Sequence, residues 1–239
     1  MKGSVQERFF FVHMQKTGGT SLWVRMQQHF GEHAVYPDST DGDPVSVAPQ
    51  MMIPVLLERW AARGESIRVV SGHFPLCTAE LLDAEFRILT ILRDPVERTL
   101  SYLRHLRATE PGIGDHPFEQ IYEDPWWLRH FIENHMVKML SLRTEEMESF
   151  GLMTILDMDR ERLATAKEAL ERIDAVGLQE NLDEFARQLD VAYGWDLGRL
   201  GRENTTTHVK VPKSFRRRIA EENALDMELY EHATELVAR

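Results

Sequence analysis

The sequence predicts an α/β fold built on a mostly parallel sheet covered by helices on both faces, and three observations carry that reading. Short apolar runs at Phe9–Val12, Ile67–Val70 and Phe86–Leu92 have the β-branched and aromatic content of strands buried on both sides. Each is followed by a turn signal and then by residues at helical spacing. In such a sheet the carboxyl ends of the strands share one edge, where open α/β sheets bind ligands.

The first strand passes into Lys16-Thr17-Gly18-Gly19-Thr20-Ser21, after which Leu22, Trp23 and Met26 fall near helical spacing. Gly18 and Gly19 let the backbone approach a ligand closely, and the N–H groups of Thr20 and Ser21 are the open donors of a helix start. Such an end attracts anions, and Lys16 adds a full positive charge beside it. The lysine precedes the glycines, the reverse of the ATP-binding order GxxxxGK[ST]. The loop therefore reads as a cradle for a phosphate or sulfate group, or as an ordinary strand-to-helix turn with a solvated lysine.

Tyr36 to Gln50 is rich in Pro, Asp, Ser and Gly and is expected to be a loop. Met51 to Arg63 is expected to be helical, with Pro54 in its first turn. The second strand ends in Ser71-Gly72-His73-Phe74-Pro75, where Gly72 is expected to leave space for a ligand beside the imidazole. A short helix is expected around Thr78 to Ala84.

The third strand ends in Arg93-Asp94-Pro95, with Asp94 a helix cap and Pro95 in the first turn. Ser101, two turns on, shares a face with that helix start, so Arg93 and Ser101 are placed to hold one phosphate; the alternative is Arg93 in a cap or ion pair with Asp94. Lys16, His73 and Arg93 all fall on the carboxyl edge if the three strands are parallel.

Composition narrows the function. The chain has 239 residues, 43% hydrophobic content and a net charge of −11. It is expected to be one domain, 1–239, with any anion site local and with neither nucleic acid nor an anionic membrane surface as a general partner. A single cysteine, Cys77, excludes an intramolecular disulfide and a cysteine-based zinc site. No apolar run spans a bilayer, and the first seven residues are too short and polar for a signal peptide, so a soluble cytoplasmic protein is expected. No His, Asp and Glu spacing suggests a metal.

The remaining segments carry less. Asp159 to Ile173 reads as an amphipathic helix with Leu163, Ala166 and Leu170 inward, followed by a strand at Ala175 to Leu178 and a helix through Leu189. His13 reads as a packed neighbour of the loop. Lys210, Lys213, Arg216, Arg217 and Arg218 form a basic cluster that either rims a ligand site or is an exposed helix flank. Trp126 and Trp127 are either a platform for a sugar ring or packing surface.

The motifs KTGGTS, SGH and RDPVERTLSYLRH, each after a strand, resemble the sulfotransferases that use 3′-phosphoadenylyl sulfate (PAPS). Asn134 to Leu140 (NHMVKML), Val176 to Glu180 (VGLQE), Glu203 to Thr206 (ENTT) and Leu225 to Tyr230 (LDMELY) are similar, in the same order, to segments of the heparan sulfate O-sulfotransferases. The 6-O branch is closest, with the 2-O/uronyl branch next. The resemblance implies a three-layer P-loop-like fold in which Lys16, Thr17, Gly18, Gly19, Thr20 and Ser21 hold the 5′-phosphosulfate. It implies Arg93 and Ser101 on the 3′-phosphate, and Asn204, Thr205 and Thr206 closing over the nucleotide. It also implies that His73 faces the acceptor hydroxyl as general base. After that histidine the family pattern carries a tryptophan and an acid, where this chain has Phe74 and Pro75.

The expected activity is in-line transfer of a sulfuryl group from PAPS, without a metal, to a hydroxyl of a carbohydrate or other small acceptor. The alternatives are an ATP-dependent small-molecule kinase and a non-catalytic nucleotide-binding module. The lysine position and the lack of an evident acidic magnesium ligand weigh against the kinase. Oligomeric state is not legible in the sequence.

Overall fold

A computed structural model of the chain describes residues 7–43, 46–200 and 211–239. Five strands form one all-parallel sheet in the order β2-β3-β1-β4-β5. They are β1 (Phe9–Val12), β2 (Val35–Tyr36), β3 (Val69–Gly72), β4 (Arg87–Leu92) and β5 (Ala175–Leu178). The helices on the amino-terminal half are α1 (Gly19–Phe30), α2 (Val47–Met51), α3 (Ile53–Arg63) and α4 (Pro95–Thr109). They are followed by α5 (Phe118–Tyr122), α6 (Pro125–Trp127), α7 (His135–Ser141) and α8 (Arg160–Arg172), and then by α9 (Leu182–Tyr193), α10 (Lys213–Glu222) and α11 (Ala224–Val237).

β1 alternates Phe9 and Phe11 with Phe10 and Val12, and all four are at most 1% exposed. Because successive side chains point to opposite faces, that alternation feeds two cores. Phe9 and Phe11 pack with Leu22, Met26, Phe185 and Trp195, while Phe10 and Val12 pack with Leu56, Leu100, Met136 and Leu229. The sheet is thus a middle layer between helices, as the continuous apolar strands predict.

Register decides which residues reach the ligand edge. Val12 of β1 lies opposite Gly72 of β3 and Thr90 of β4. The segments that begin at His13, His73 and Arg93 therefore leave neighbouring strands on one edge. β1 lies where strand order reverses, with β3 on one side and β4 on the other, the place where open parallel sheets leave a crevice.

Several boundaries differ from expectation. β3 starts two residues later than the apolar run suggests, because Ile67 closes a turn onto the Gly64 carbonyl at 3.2 Å and the ladder begins only with Val69. The shift places His73 directly after the strand. Tyr36 to Gln50 is not simply a loop: Tyr36 belongs to β2 and Val47 to Gln50 to α2. Between them Asp38 and Asp41 are buried, and Arg63 donates to Asp41 through Nε at 3.1 Å. A two-residue strand and long-range ion pairs leave no local pattern to read. The turn after His73 is a 3-10 segment, Leu76–Leu81, earlier and tighter than the expected helix. Asp94 caps α4 by accepting from the Glu97 N–H at 2.9 Å, as expected, and Asp159 caps α8 by accepting from the Arg162 N–H.

Two motifs of the downstream resemblance turn out to cap each other. Asn134 Oδ1 accepts from the Leu225 and Asp226 N–H groups, each at 3.1 Å, at the start of α11. Asp226 in turn accepts from Met136 (3.1 Å) and Val137 (2.8 Å) at the start of α7. Each helix thus satisfies the open donors of the other. The buried Asp226 carboxylate also faces two buried cations, Arg98 and Lys138. Those cations bond the carbonyls of a π-helical turn, Leu128–Ile132: Arg98 holds Phe131 and Ile132 at 3.0 Å each, and Lys138 holds His130 at 2.6 Å.

Candidate functional site

The loop after β1 is built to expose backbone donors. Met14 N–H turns back to the Val12 carbonyl at 3.1 Å, and the buried Thr17 hydroxyl donates to the Met14 carbonyl at 2.9 Å. That bond commits the Thr17 hydroxyl to the loop and leaves its N–H. Lys16 sits at φ +67° and Gly18 at φ +88°, two left-handed residues that let the chain enter α1 at a steep angle. α1 has no side-chain cap, so its first N–H groups face outward beside Lys16.

Gly19 serves packing. A Cβ there would lie 2.3 Å from Cδ2 and 2.5 Å from Nε2 of His13. The His13 ring is buried, stacked on Phe11 with centroids 5.2 Å apart, and stays neutral because burial, His73 and Lys16 all disfavour its charged form. His13 is thus the packed neighbour of the loop that the sequence suggested.

Arg93 crosses from the end of β4 and donates from Nη1 to the Lys16 carbonyl at 2.9 Å. Asp94 is engaged in capping, so the arginine serves the loop rather than its own helix. The buried Arg93 Nε has no hydrogen-bond partner. Burial and then the Arg93 charge lower the Lys16 pKa. Two neighbouring cationic groups, one with an unpartnered buried nitrogen, beside an uncapped helix start are a site suited to an anion. Ser101, half-buried two turns into α4, has no hydrogen bond to Arg93. Asn204, Thr205 and Thr206, and Lys210 of the basic cluster, lie outside the described residues.

His73 stands on the other side of the loop. Its Nδ1 lies 2.6 Å from the His13 carbonyl oxygen, which can only accept, so the proton is on Nδ1 and Nε2 keeps its lone pair. Burial is the largest cause that lowers its pKa to about 4, with Lys16 and His105 adding to it against the His13 hydrogen bond. The imidazole is therefore neutral near pH 7. Gly72 does not leave space for a ligand as expected: a Cβ there would meet the Phe74 ring at 2.3 Å and the Gln50 carbonyl at 3.0 Å. The space beside it is filled by the core, and the glycine lets Phe74 pack under the strand end.

Sequence reasoning missed His105. It lies one turn beyond Ser101 on α4, and its charged form is disfavoured by burial and by Lys16. The signal was present in the spacing, since i and i+4 share a helix face. Within the basic cluster, Arg216 pairs with Glu97, Arg217 with Glu221, and Arg218 with Glu123 and Glu222. Beyond β5 lies a cavity of about 470 Å³ lined by Leu178, Glu180, Asn181 and Tyr230, and its Glu180 is within electrostatic reach of Arg93. Among the described residues no group of three His, Cys, Asp or Glu side chains is arranged for a metal, and no helix is long and apolar enough to cross a membrane.

A parallel sheet with a glycine-bearing loop and an uncapped helix start after its first strand, met by an arginine from a neighbouring strand end, defines a P-loop-like α/β protein. The comparisons narrow the class. The fold is similar to the crystal structure of a sulfotransferase from Alicyclobacillus acidocaldarius, with a TM-score of 0.53 and 19% identity, covering 98% of this chain and 97% of that one. In sequence the chain is 26% identical to heparan-sulfate 6-O-sulfotransferase 2 of Gallus gallus, over 95% of this chain and 66% of the relative's length. No protein-family model matches the chain. The sulfotransferase resemblance read from the motifs is thus present in both the sequence and the fold.

Proposed function

We propose that the chain is a PAPS-dependent O-sulfotransferase. The observation that supports this most directly is the placement of Lys16, Arg93 and His73 around the uncapped start of α1. The first two are neighbouring cations, Arg93 with an unpartnered buried Nε, and the third is a neutral base with a free nitrogen. PAPS fits that arrangement. Its 5′-phosphosulfate would lie against the N–H groups of the loop from Lys16 to Ser21, and its 3′-phosphate against Arg93 and Ser101.

In the transfer step the acceptor oxygen forms a new bond to sulfur while the bond from sulfur to the bridging phosphate oxygen breaks. The acceptor proton passes to His73 Nε2, and 3′-phosphoadenosine 5′-phosphate (PAP) leaves. A hydroxyl is a weak nucleophile until its proton is removed, and the Nδ1 bond to His13 keeps the receiving nitrogen unprotonated. Charge develops on the departing phosphate oxygen, where the Lys16 ammonium and the α1 donors neutralise it. The low dielectric that lowers the Lys16 pKa also strengthens its attraction for that oxygen.

Calorimetry tests the reading. PAP should bind without magnesium and more tightly than AMP or ATP, because two anion sites require two phosphates. Stronger, magnesium-dependent ATP binding would replace the sulfotransferase reading with that of a kinase. An acceptor screen with labelled PAPS then identifies the hydroxyl compound.

A further inference from the structure

We propose that the anion site at the start of α4 carries its own counter-ion: the Glu97 carboxylate competes with a bound phosphate for Arg93 and for Arg104, a further arm of the site, and so limits nucleotide affinity and favours product release. The inference rests on the sulfotransferase reading, in which that phosphate is the 3′-phosphate of the nucleotide.

Glu97, Ser101 and Arg104 lie at i, i+4 and i+7 on α4 and share one face of the helix, with Arg93 just before its first turn. Long helical side chains lean toward the amino-terminal end, which carries the Arg104 guanidinium back over Ser101 toward Arg93. Arg93, Glu97 and Arg104 are all half-buried, and the buried Nε atoms of both arginines have no hydrogen-bond partner. Two guanidinium groups flanking a hydroxyl offer donors that the acceptor oxygens of one phosphate satisfy.

α10 packs on α4 and supplies a third arginine, Arg216, which pairs directly with Glu97. Burial opposes the charge on Glu97, yet Arg216, Arg93 and Arg104 outweigh it and hold the carboxyl below the usual carboxylate range. The neighbouring acids are engaged elsewhere. Asp94 caps α4, and Glu180, which also faces Arg93, accepts from the Tyr230 hydroxyl. The side chains of the Arg216–Glu97 pair are 40% and 38% exposed, and pairs so open to water contribute little to stability. Their effect falls on a ligand. A phosphate entering between Arg93 and Arg104 takes donors from Glu97 and then feels its repulsion, while Arg216 holds the carboxylate to one side. A transferase must release its product after each turnover, and two phosphate sites would otherwise hold PAP as firmly as they hold PAPS.

Calorimetry of PAP with the full chain tests the proposal. Glu97→Gln keeps the shape of the side chain and removes its charge, so PAP should bind roughly fivefold or more tightly. Its dissociation in stopped-flow displacement should slow to match. Arg104→Gln should weaken PAP by about tenfold and leave AMP, which lacks the 3′-phosphate, unaffected. Arg216→Gln should weaken PAP by about threefold, because the released carboxylate turns onto Arg93 and Arg104. Glu97→Gln combined with Arg216→Gln should bind PAP like Glu97→Gln alone, whereas a purely structural ion pair would weaken binding in both single variants. Glu221→Gln, which breaks the exposed Arg217–Glu221 pair on α10, should change nothing. If Arg104→Gln lowers the melting temperature, Arg104→Lys decides, with PAP still weakened because lysine lacks the planar fork. Unchanged or weaker PAP binding in Glu97→Gln with an unaltered melting temperature, or wild-type affinity in the Arg104 variants, overturns the inference. Titrations with AMP and ATP separate the two readings: PAP preferred over both, with no gain in Glu97→Gln, removes only the counter-ion. ATP preferred over PAP, and bound more tightly by Glu97→Gln, removes the sulfotransferase reading and leaves the counter-ion standing.

Discussion

The pH dependence of transfer follows from the surroundings of His73. An ordinary histidine titrates near pH 6.5, so at pH 5.5 only about 9% of such a base would be neutral. With its pKa at about 4, His73 is roughly 97% neutral at that pH, a tenfold difference in active enzyme. Only the neutral ring can take the acceptor proton. Single-turnover rates at saturating PAPS should therefore stay level from about pH 8 down to about pH 5.5 and fall only as pH approaches 4. The His73 Cε1–H resonance should titrate at the same midpoint. Because Lys16 contributes to the depression, Lys16→Ala should move that midpoint upward. A rate profile and resonance that both turn near pH 6.5 would refute the buried, His13-anchored ring as the working state.

Further outcomes follow from the same contacts. Lys16→Ala should slow single-turnover transfer by roughly a hundredfold, about 3 kcal/mol of transition-state stabilisation, while Arg93→Ala should mainly weaken PAP binding in calorimetry. Gly19→Ala should destabilise by about 1–3 kcal/mol in urea unfolding, since its Cβ would overlap the buried His13 ring. Asp226→Ala removes two helix-start bonds and leaves Arg98 and Lys138 without their buried counter-charge, so it should cost about 3–5 kcal/mol by the same measurement. Folding holds His13, His73 and His135 neutral while the unfolded chain binds protons below about pH 6.5. The contribution of these three histidines to stability should thus be full above that pH and decline toward pH 4, with His73 alone contributing about 2 kcal/mol of loss at pH 5.

Read alone, the sequence determined the features that short-range chemistry controls. The apolar run Phe9–Val12, the glycine pair after Lys16 and the Asp94-Pro95 helix start each act within a few residues, and each forms where the pattern places it. The shared edge for Lys16, His73 and Arg93 was also legible, because parallel strands align their carboxyl ends. Other assignments depend on partners far along the chain, and only the tertiary structure decided them. Whether Arg93 serves Asp94 or the loop depends on Lys16, 77 residues away. The free nitrogen of His73 is selected by a carbonyl 60 residues away, and its low pKa by burial that no local pattern encodes. Gly72 reads locally as open space, yet Phe74 and Gln50 fill it once the strand is packed. The segments from Asn134 and from Leu225 carry family-like motifs whose structural use, each capping the other's helix, exists only when α7 and α11 meet. Hydrogen bonds and burial across such distances are set by how the layers stack, and that is a property of the folded chain.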